Sequence, residues 1–353
     1  MRAAVLYGKE DLRLEQVDVP RAGAGEIVLR VGAALTCGTD LKVYRRGYHA
    51  MMLTPPIPFG HEVAGVVSEV GDGVSSFKIG DRVVALNSAP CDRCYWCGKG
   101  QENLCEDLLF NNGAYAEYMR VPARIVEKNT IHVPAGMALE HAALTEPLAC
   151  VVRGMEESGA ASGDTMAVIG AGPIGLMFMH VAELWGLRVI AVVKRESQRA
   201  AAQTFGAAEV VVATEDEETI EAVRSLTTSG RGVDVAVEAV ATPKAWDWAV
   251  RMVRRGGVVN FFGGPPSGTV VALDTNRIHY GDIKLLASFH HTPSASRTAF
   301  DLLRSGRFKC AEYITGRAGL NEVPAIFARM LTRNGSSGAL DIKTAVFPGE
   351  VAL

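Results

Sequence analysis

Three groups of residues in this 353-residue chain have types and spacings that could do chemistry. The densest is the stretch 89–105, APCDRCYWCGKGQENLC. It holds Cys91, Cys94, Cys97 and Cys105, more than half of the seven cysteines in the chain. In the spacing C-x2-C-x2-C-x7-C, three thiolates can wrap one ion and a fourth, after a short loop, can close a tetrahedron. Four thiolates suit Zn²⁺, and a site closed by four protein ligands is structural rather than catalytic. Disulfides and an iron–sulfur cluster are the rival readings of such a run.

The second group is Gly170-Ala171-Gly172-Pro173-Ile174-Gly175, a G-x-G-x-x-G run between the apolar TMAVI and the helical pattern PIGLMFMHVAELWG. A strand, this turn and a helix form the setting in which the motif binds a dinucleotide. The first glycine permits the tight turn, the second admits a pyrophosphate against the backbone, and the third lets helix and strand approach. The helix N-terminus then offers its free N–H groups to the phosphates. An NAD enzyme places an acid about 20 residues on, against the ribose 2′-hydroxyl. Here that position falls near Val193, and Lys194 and Arg195 follow it. Two cations suit a 2′-phosphate, so NADP(H) is favoured, while Glu196 keeps NAD(H) open.

The third group is scattered: Cys37 in LTCGTDLK, His61 and Glu62 in PFGHEVAG, and Glu146 in LTEPLAC. A thiolate, an imidazole and a carboxylate can hold an open zinc site that keeps a position for water or substrate. Spacing alone does not join residues this far apart.

The surrounding pattern indicates what must position these groups. EIVLRVGAAL, EVAGVVSEV, DRVVAL and AEYMRV cluster branched apolar residues between Gly-Asp breaks, which predicts a mostly β domain over about the first 145 residues. From about residue 150, strand patterns (TMAVI, LRVIAVV, AEVVVA, GVDVAVEAV, GGVVNFFGG, DIKLLASF) alternate with helical ones. That alternation predicts a parallel sheet covered on both faces, a doubly wound α/β fold. SASRTAFDLLRSG and LNEVPAIFARMLTRNG read as two further helices and DIKTAVF as a closing strand. A net charge of -3 gives no basic footprint for nucleic acid and no polybasic membrane patch. The N-terminal residues show no apolar run of the kind an export signal has, so a reducing, cytoplasmic setting is expected. There, clustered cysteines are more often metal ligands than disulfides.

CGTD, GHEVAGVVSEVG, GDRVV, the four-cysteine run, EPLA and GAGPIG occur in that order over most of residues 30–180. With them the whole chain resembles the zinc-dependent medium-chain dehydrogenases, and most of all their sorbitol (polyol) and threonine dehydrogenase branch. The resemblance implies a GroES-like, mostly β catalytic domain over 1–148 with a structural zinc lobe at 89–106. It implies a Rossmann domain over 149–290 and a return over 291–353 that completes the catalytic domain. Two Zn²⁺ per chain are implied, one structural and one catalytic. Cys37 and His61 would bind the catalytic ion, Glu62 would be a ligand or swing in as one, and Glu146 would rank below them, touching the metal through water.

Thr39 matches the hydroxyl that hands the substrate proton outward. Lys42 stands where many relatives carry a relay histidine, a departure that puts the usual proton exit in doubt and leaves His49 as a substitute. Asp40 is expected to brace its loop, and Cys150 and Cys310 to be small buried apolar residues. His180, Trp246 and Trp248 read as packing, and His290 and His291 as residues near the domain junction without a catalytic part.

The implied activity is hydride transfer between a secondary alcohol (a polyol, sugar alcohol or cyclitol) or its ketone and a nicotinamide cofactor. A 3-hydroxy amino acid of the threonine type is the alternative substrate. A non-catalytic NADPH-binding protein is the alternative of another class, and the presence of Cys37, His61, Glu62 and Glu146 argues against it. A homo-dimer or homo-tetramer is also implied, with GGVVNFFGGPPSGTVVAL as either its sheet edge or a core strand.

Overall fold

Branched side chains pack well on a pleated surface, and Gly and Asp close the turns between them. The N-terminal runs accordingly become strands. The computed structural model describes residues 1–49, 51–332 and 341–349. The chain packs as two compact units, one from Met1–Ala149 with the described residues from His291 onward, the other from Cys150–His290.

In the first unit the strands Thr130–His132, Arg82–Ala85, Glu62–Val70, Ile27–Leu35, Lys343–Phe347 and Ile314–Gly319 lie side by side in that order. Tyr118–Val121 also pairs with Ile27–Leu35. The returning strand Lys343–Phe347 therefore sits beside Ile27–Leu35, with Ala345 opposite Leu35. A smaller sheet joins Asp11–Gln16, Arg2–Gly8 and Ile57–Pro58. Leu6, Val43, Tyr44, Phe59, Tyr115 and Phe327 fill the core beside them. The short strands Ser88–Ala89 and Leu109–Phe110 pair antiparallel and close the base of the four-cysteine lobe. A helix, Gly38–Arg46, starts directly after Cys37, whose sulfur caps it by accepting the Thr39 N–H at 3.4 Å. The expected helix in LNEVPAIFARMLTRNG begins with a 3-10 turn over Leu320–Glu322 and runs over Val323–Thr332, and residues 333–335 lie outside the described residues.

The second unit is a six-stranded sheet with all neighbours parallel. Its order is Ala207–Val212, Arg188–Val193, Thr165–Ile169, Val233–Glu238, Val253–Phe261, Lys284–Leu286. In chain order that is 3-2-1-4-5-6, the doubly wound arrangement, with its switch point between Thr165–Ile169 and Val233–Glu238. The helix predicted over PKAWDWAVRMVRRG stops at Met252, because Val253 already pairs with Val233 and Arg254 is bonded to Asp234. Within GGVVNFFGGPPSGTVVAL only the part up to Phe261 is strand, and it lies inside the sheet; the edges are Ala207–Val212 and Lys284–Leu286. His180 is fully buried in the helix Pro173–Leu184, and Trp246 stacks on Phe261 at 3.9 Å. Cys310 is buried, whereas Cys150 is only partly so.

Candidate functional site

The helix Gly38–Arg46 and the strand Glu62–Val70 bring Cys37, His61 and Glu62 together, with one donor atom of each within 4.8 Å of the others. His61 and Glu62 are buried. Burial pushes the Cys37 thiol up and the Glu62 carboxylate adds to this, while His61 opposes it. Burial alone would push His61 down, but the Asp40 carboxylate and the Cys37 sulfur outweigh it and hold the imidazole well above its usual value.

Asp40 has a more specific part than bracing a loop. Its Oδ1 lies 2.8 Å from His61 Nδ1. An ionised carboxylate only accepts, so Nδ1 carries the hydrogen and Nε2 is left as the ligand atom. Tyr115 donates to the other oxygen, Oδ2, at 2.8 Å. Thr39 is half-buried in the first turn of the same helix.

Glu146 enters from the first turn of the helix Thr145–Ser158, with Oε2 4.0 Å from His61 Nε2. Burial pushes its carboxyl up to about 7, with Glu62 adding to the shift and His61 opposing it. Its other oxygen lies 4.0 Å from Nε2 of His291, which is also 2.8 Å from Asn87 Oδ1. Sequence reading gave His291 no part; its ring nitrogen is spent on an amide oxygen beside the site. His49 is tied down as well, its Nδ1 accepting the backbone N–H groups of Met51 and Met52 at 3.2 and 3.1 Å.

The largest omission from the sequence reading is Lys343. This fully buried lysine places Nζ 2.7 Å from both oxygens of Glu62 and 3.0 Å from Thr36 O. Burial alone would lower its pKa, but the Glu62 carboxylate reverses the shift and raises it. Glu62 therefore has a partner other than a metal. The donor set nevertheless fits a dication. Cys37 offers sulfur, His61 nitrogen and Glu62 and Glu146 oxygen, the atoms zinc takes, and a bound cation would favour the ionised forms of Cys37 and Glu146 that burial disfavours.

The four cysteines of the lobe converge, with all four sulfurs within 4.8 Å of one another. A Zn–S distance near 2.3 Å puts tetrahedral ligands about 3.8 Å apart, so small side-chain movements close the site. Backbone N–H groups, first that of Cys97 and then that of Glu106, pull the Cys94 thiol down to about 6, while burial pushes Cys97 up to about 12. Arg124 bonded to Asp107 at 2.8 Å, and Lys128 paired with Asp92, tie the lobe to the helix Ala123–Asn129.

In the second unit the turn after Thr165–Ile169 matches what a dinucleotide needs. Gly170 has φ +109°, and a Cβ on Gly175 would lie 1.9 Å from Gly170 O. A Cβ on Gly172 would meet nothing within 4 Å, so this face is open to a ligand. Gly172 caps the helix Pro173–Leu184 without a side-chain bond, leaving N–H groups at its start, where Ile174 also lies. Lys194 is exposed and Arg195 half-buried just beyond the strand Arg188–Val193. Gln198 Oε1 accepts both of their backbone N–H groups, at 3.0 and 3.1 Å. Glu196, the acid that could serve a ribose diol, is instead bonded to Arg199, with Nη2 3.0 Å from Oε2.

Comparison with known proteins agrees with this layout. Residues 23–134 match the model of the alcohol dehydrogenase GroES-like domain, and residues 173–305 that of the zinc-binding dehydrogenases. The chain is 30% identical to sorbitol dehydrogenase of Bacillus subtilis over 94% of both chains. It is 34% identical to L-threonine 3-dehydrogenase of Pyrococcus abyssi over 96% of both. It also superposes on a Sinorhizobium meliloti 1021 protein described as a zinc-binding dehydrogenase, in a crystal structure bound to NADP. There the TM-score is 0.88 at 29% identity, covering 98% of this chain and 99% of that one.

Proposed function

The chain belongs to the zinc-dependent medium-chain dehydrogenases, in their polyol and threonine dehydrogenase branch, and is an alcohol oxidoreductase; from that premise we propose that it oxidises a secondary alcohol of the polyol, sugar-alcohol or cyclitol class with NADP⁺, or reduces the corresponding ketone. The observation that carries this reading is the buried donor group Cys37, His61 and Glu62 with Glu146 beside it.

Zinc held there supplies Lewis acidity towards an alcohol oxygen. Cys37 and His61 hold the ion, and Asp40 fixes the His61 tautomer that leaves Nε2 to it. Glu62, bonded to Lys343, and Glu146 stand by as carboxylates that can reach the same ion. The Thr39 hydroxyl receives the substrate proton. Because Lys42 stands at the usual relay position, the proton then leaves by another route. In the second unit the turn Gly170–Gly175 seats the pyrophosphate, and Lys194 and Arg195 take the 2′-phosphate, while the Glu196 carboxylate is bonded to Arg199. The four-cysteine lobe holds the second, structural zinc.

A 3-hydroxy amino acid is the second reading, favoured by the 34% identity to a threonine dehydrogenase. Reduction of NADP⁺ and NAD⁺ is followed at 340 nm with a panel of polyols, inositols, simple alcohols and threonine, before and after chelation. Chelator-sensitive reduction of NADP⁺ by a polyol or cyclitol is the expected result. Turnover confined to threonine replaces the first reading by the second, and turnover indifferent to zinc removal overturns the metal assignment.

A further inference from the structure

We propose that Tyr115 is a positioning residue for the metal ligand His61, acting through Asp40 to hold the catalytic ion; this rests on the reading that Cys37 and His61 bind that ion. Two segments carry Cys37, Asp40 and His61, and Tyr115 is bonded to both. Its backbone N–H donates to Phe59 O at 2.8 Å, and Ala114 N–H to Gly60 O at 3.1 Å, which fixes the chain immediately before His61. Its ring lies so close over Gly60 that a Cβ there would be 2.7 Å from ring carbons. That contact, with Gly60 at φ +92°, explains why the residue before His61 is glycine.

Its hydroxyl lies 2.8 Å from Asp40 Oδ2 and 2.9 Å from the carbonyl of Leu35, two residues before Cys37. The single hydroxyl hydrogen goes to the carboxylate, the stronger acceptor. Asp40 is thereby held from both sides, by Tyr115 on Oδ2 and by His61 Nδ1 on Oδ1. Tyr115 is fully buried and Asp40 nearly so, away from bulk water. Burial, with Asp40 beside it, keeps the phenol well above its ordinary pKa, so it remains a donor.

Without the hydroxyl, Asp40 Oδ2 keeps its charge and loses its donor. The carboxylate then turns more freely, and the orientation it imposes on His61 is relaxed. Groups that orient metal ligands typically matter by 10–100-fold in metal affinity; a group one bond further out should matter by about 3–30-fold.

The test uses Tyr115→Phe, which keeps the ring that packs on Phe59 and Phe327 at centroid distances of 6.0 and 5.8 Å. Zinc release from the full-length, zinc-loaded protein to a colorimetric chelator is followed in time, with Cys37→Ser marking the phase that belongs to the catalytic ion. Tyr115→Phe is expected to release that ion about 3–30-fold faster, with release of the structural ion unchanged, at a temperature well below the melting of both proteins. In an Asp40→Asn background the same substitution is expected to have no further effect, which a merely packing role for Tyr115 would not produce. If Cys37→Ser removes a phase whose rate is unmoved by Tyr115→Phe, or if the effect persists without the Asp40 carboxylate, the proposal fails while the metal assignment stands. If Cys37→Ser releases zinc with the wild-type trace, the metal assignment falls and the proposal with it.

Discussion

Lys343→Met removes a buried cation and leaves its partner in place. Nζ sits 2.7 Å from both Glu62 oxygens, and the two side chains are 2% and 0% exposed. At an effective dielectric near 20, that separation corresponds to an attraction of about 6 kcal/mol. Taking the two ions out of water costs several kcal/mol each, so the intact pair adds little net stability. Removing one partner is different, because in the zinc-free protein Glu62 then keeps only His61 to offset its buried charge. Such a deletion costs about 3–5 kcal/mol. For units of this size that is a fall in thermal midpoint of roughly 6–20 °C.

Differential scanning calorimetry at one fixed scan rate would measure it. The deficit should shrink as pH falls, because Glu62, already pushed up by burial, then takes up a proton and is less costly to leave unpaired. In the double variant Lys343→Met/Glu62→Gln most of the loss should return, since neither ion remains. A single variant within about 1 kcal/mol of the parent would refute the view that Lys343 compensates Glu62.

Two further predictions concern the ions and the cofactor. Cys37→Ser should lose one zinc per chain by elemental analysis and lower turnover more than about 100-fold, with little change in melting; Cys91→Ser should lose the other zinc and melt at a lower temperature, and an exchange of these outcomes would reverse the two assignments. Arg195→Ala should raise KM for NADP⁺ about tenfold or more, as loss of a charged hydrogen bond to phosphate does, and leave KM for NAD⁺ unchanged; an equal change for both cofactors would remove Arg195 from the 2′-phosphate.

The doubly wound sheet was legible because its signals are local. Each apolar run except Ala207–Val212 pairs with the next, and the glycine turn sits where strand meets helix. The four-cysteine lobe was legible for the same reason, since its ligands lie within fifteen residues, from Cys91 to Cys105. Boundaries failed where tertiary pairing overrode a helical pattern, as at Val253. The helix Gly38–Arg46 was not foreseen because a cysteine sulfur caps it in place of the usual Ser, Thr, Asp or Asn.

The partners of the metal ligands were illegible for a physical reason. Cysteine and histidine in a motif point to a metal by their ligand chemistry, whereas lysine, tyrosine and aspartate serve many ends and acquire meaning only from what they touch. Lys343 reaches Glu62 across 281 residues, and Tyr115 reaches Asp40 across 75. Both contacts depend on topology. Lys343 arrives because the returning strand pairs with Ile27–Leu35, and Tyr115 because its segment is bonded to Phe59 and Gly60. The consequence is chemical as well as structural. Glu62 stands next to His61 in the sequence and reads as a ligand, yet in the fold both of its oxygens are already taken by an ammonium. Any approach of Glu62 to the ion competes with those bonds. The strength with which the return segment holds Lys343 therefore sets the cost of that movement, and a substitution far along the chain can change chemistry at a site whose ligands it leaves untouched.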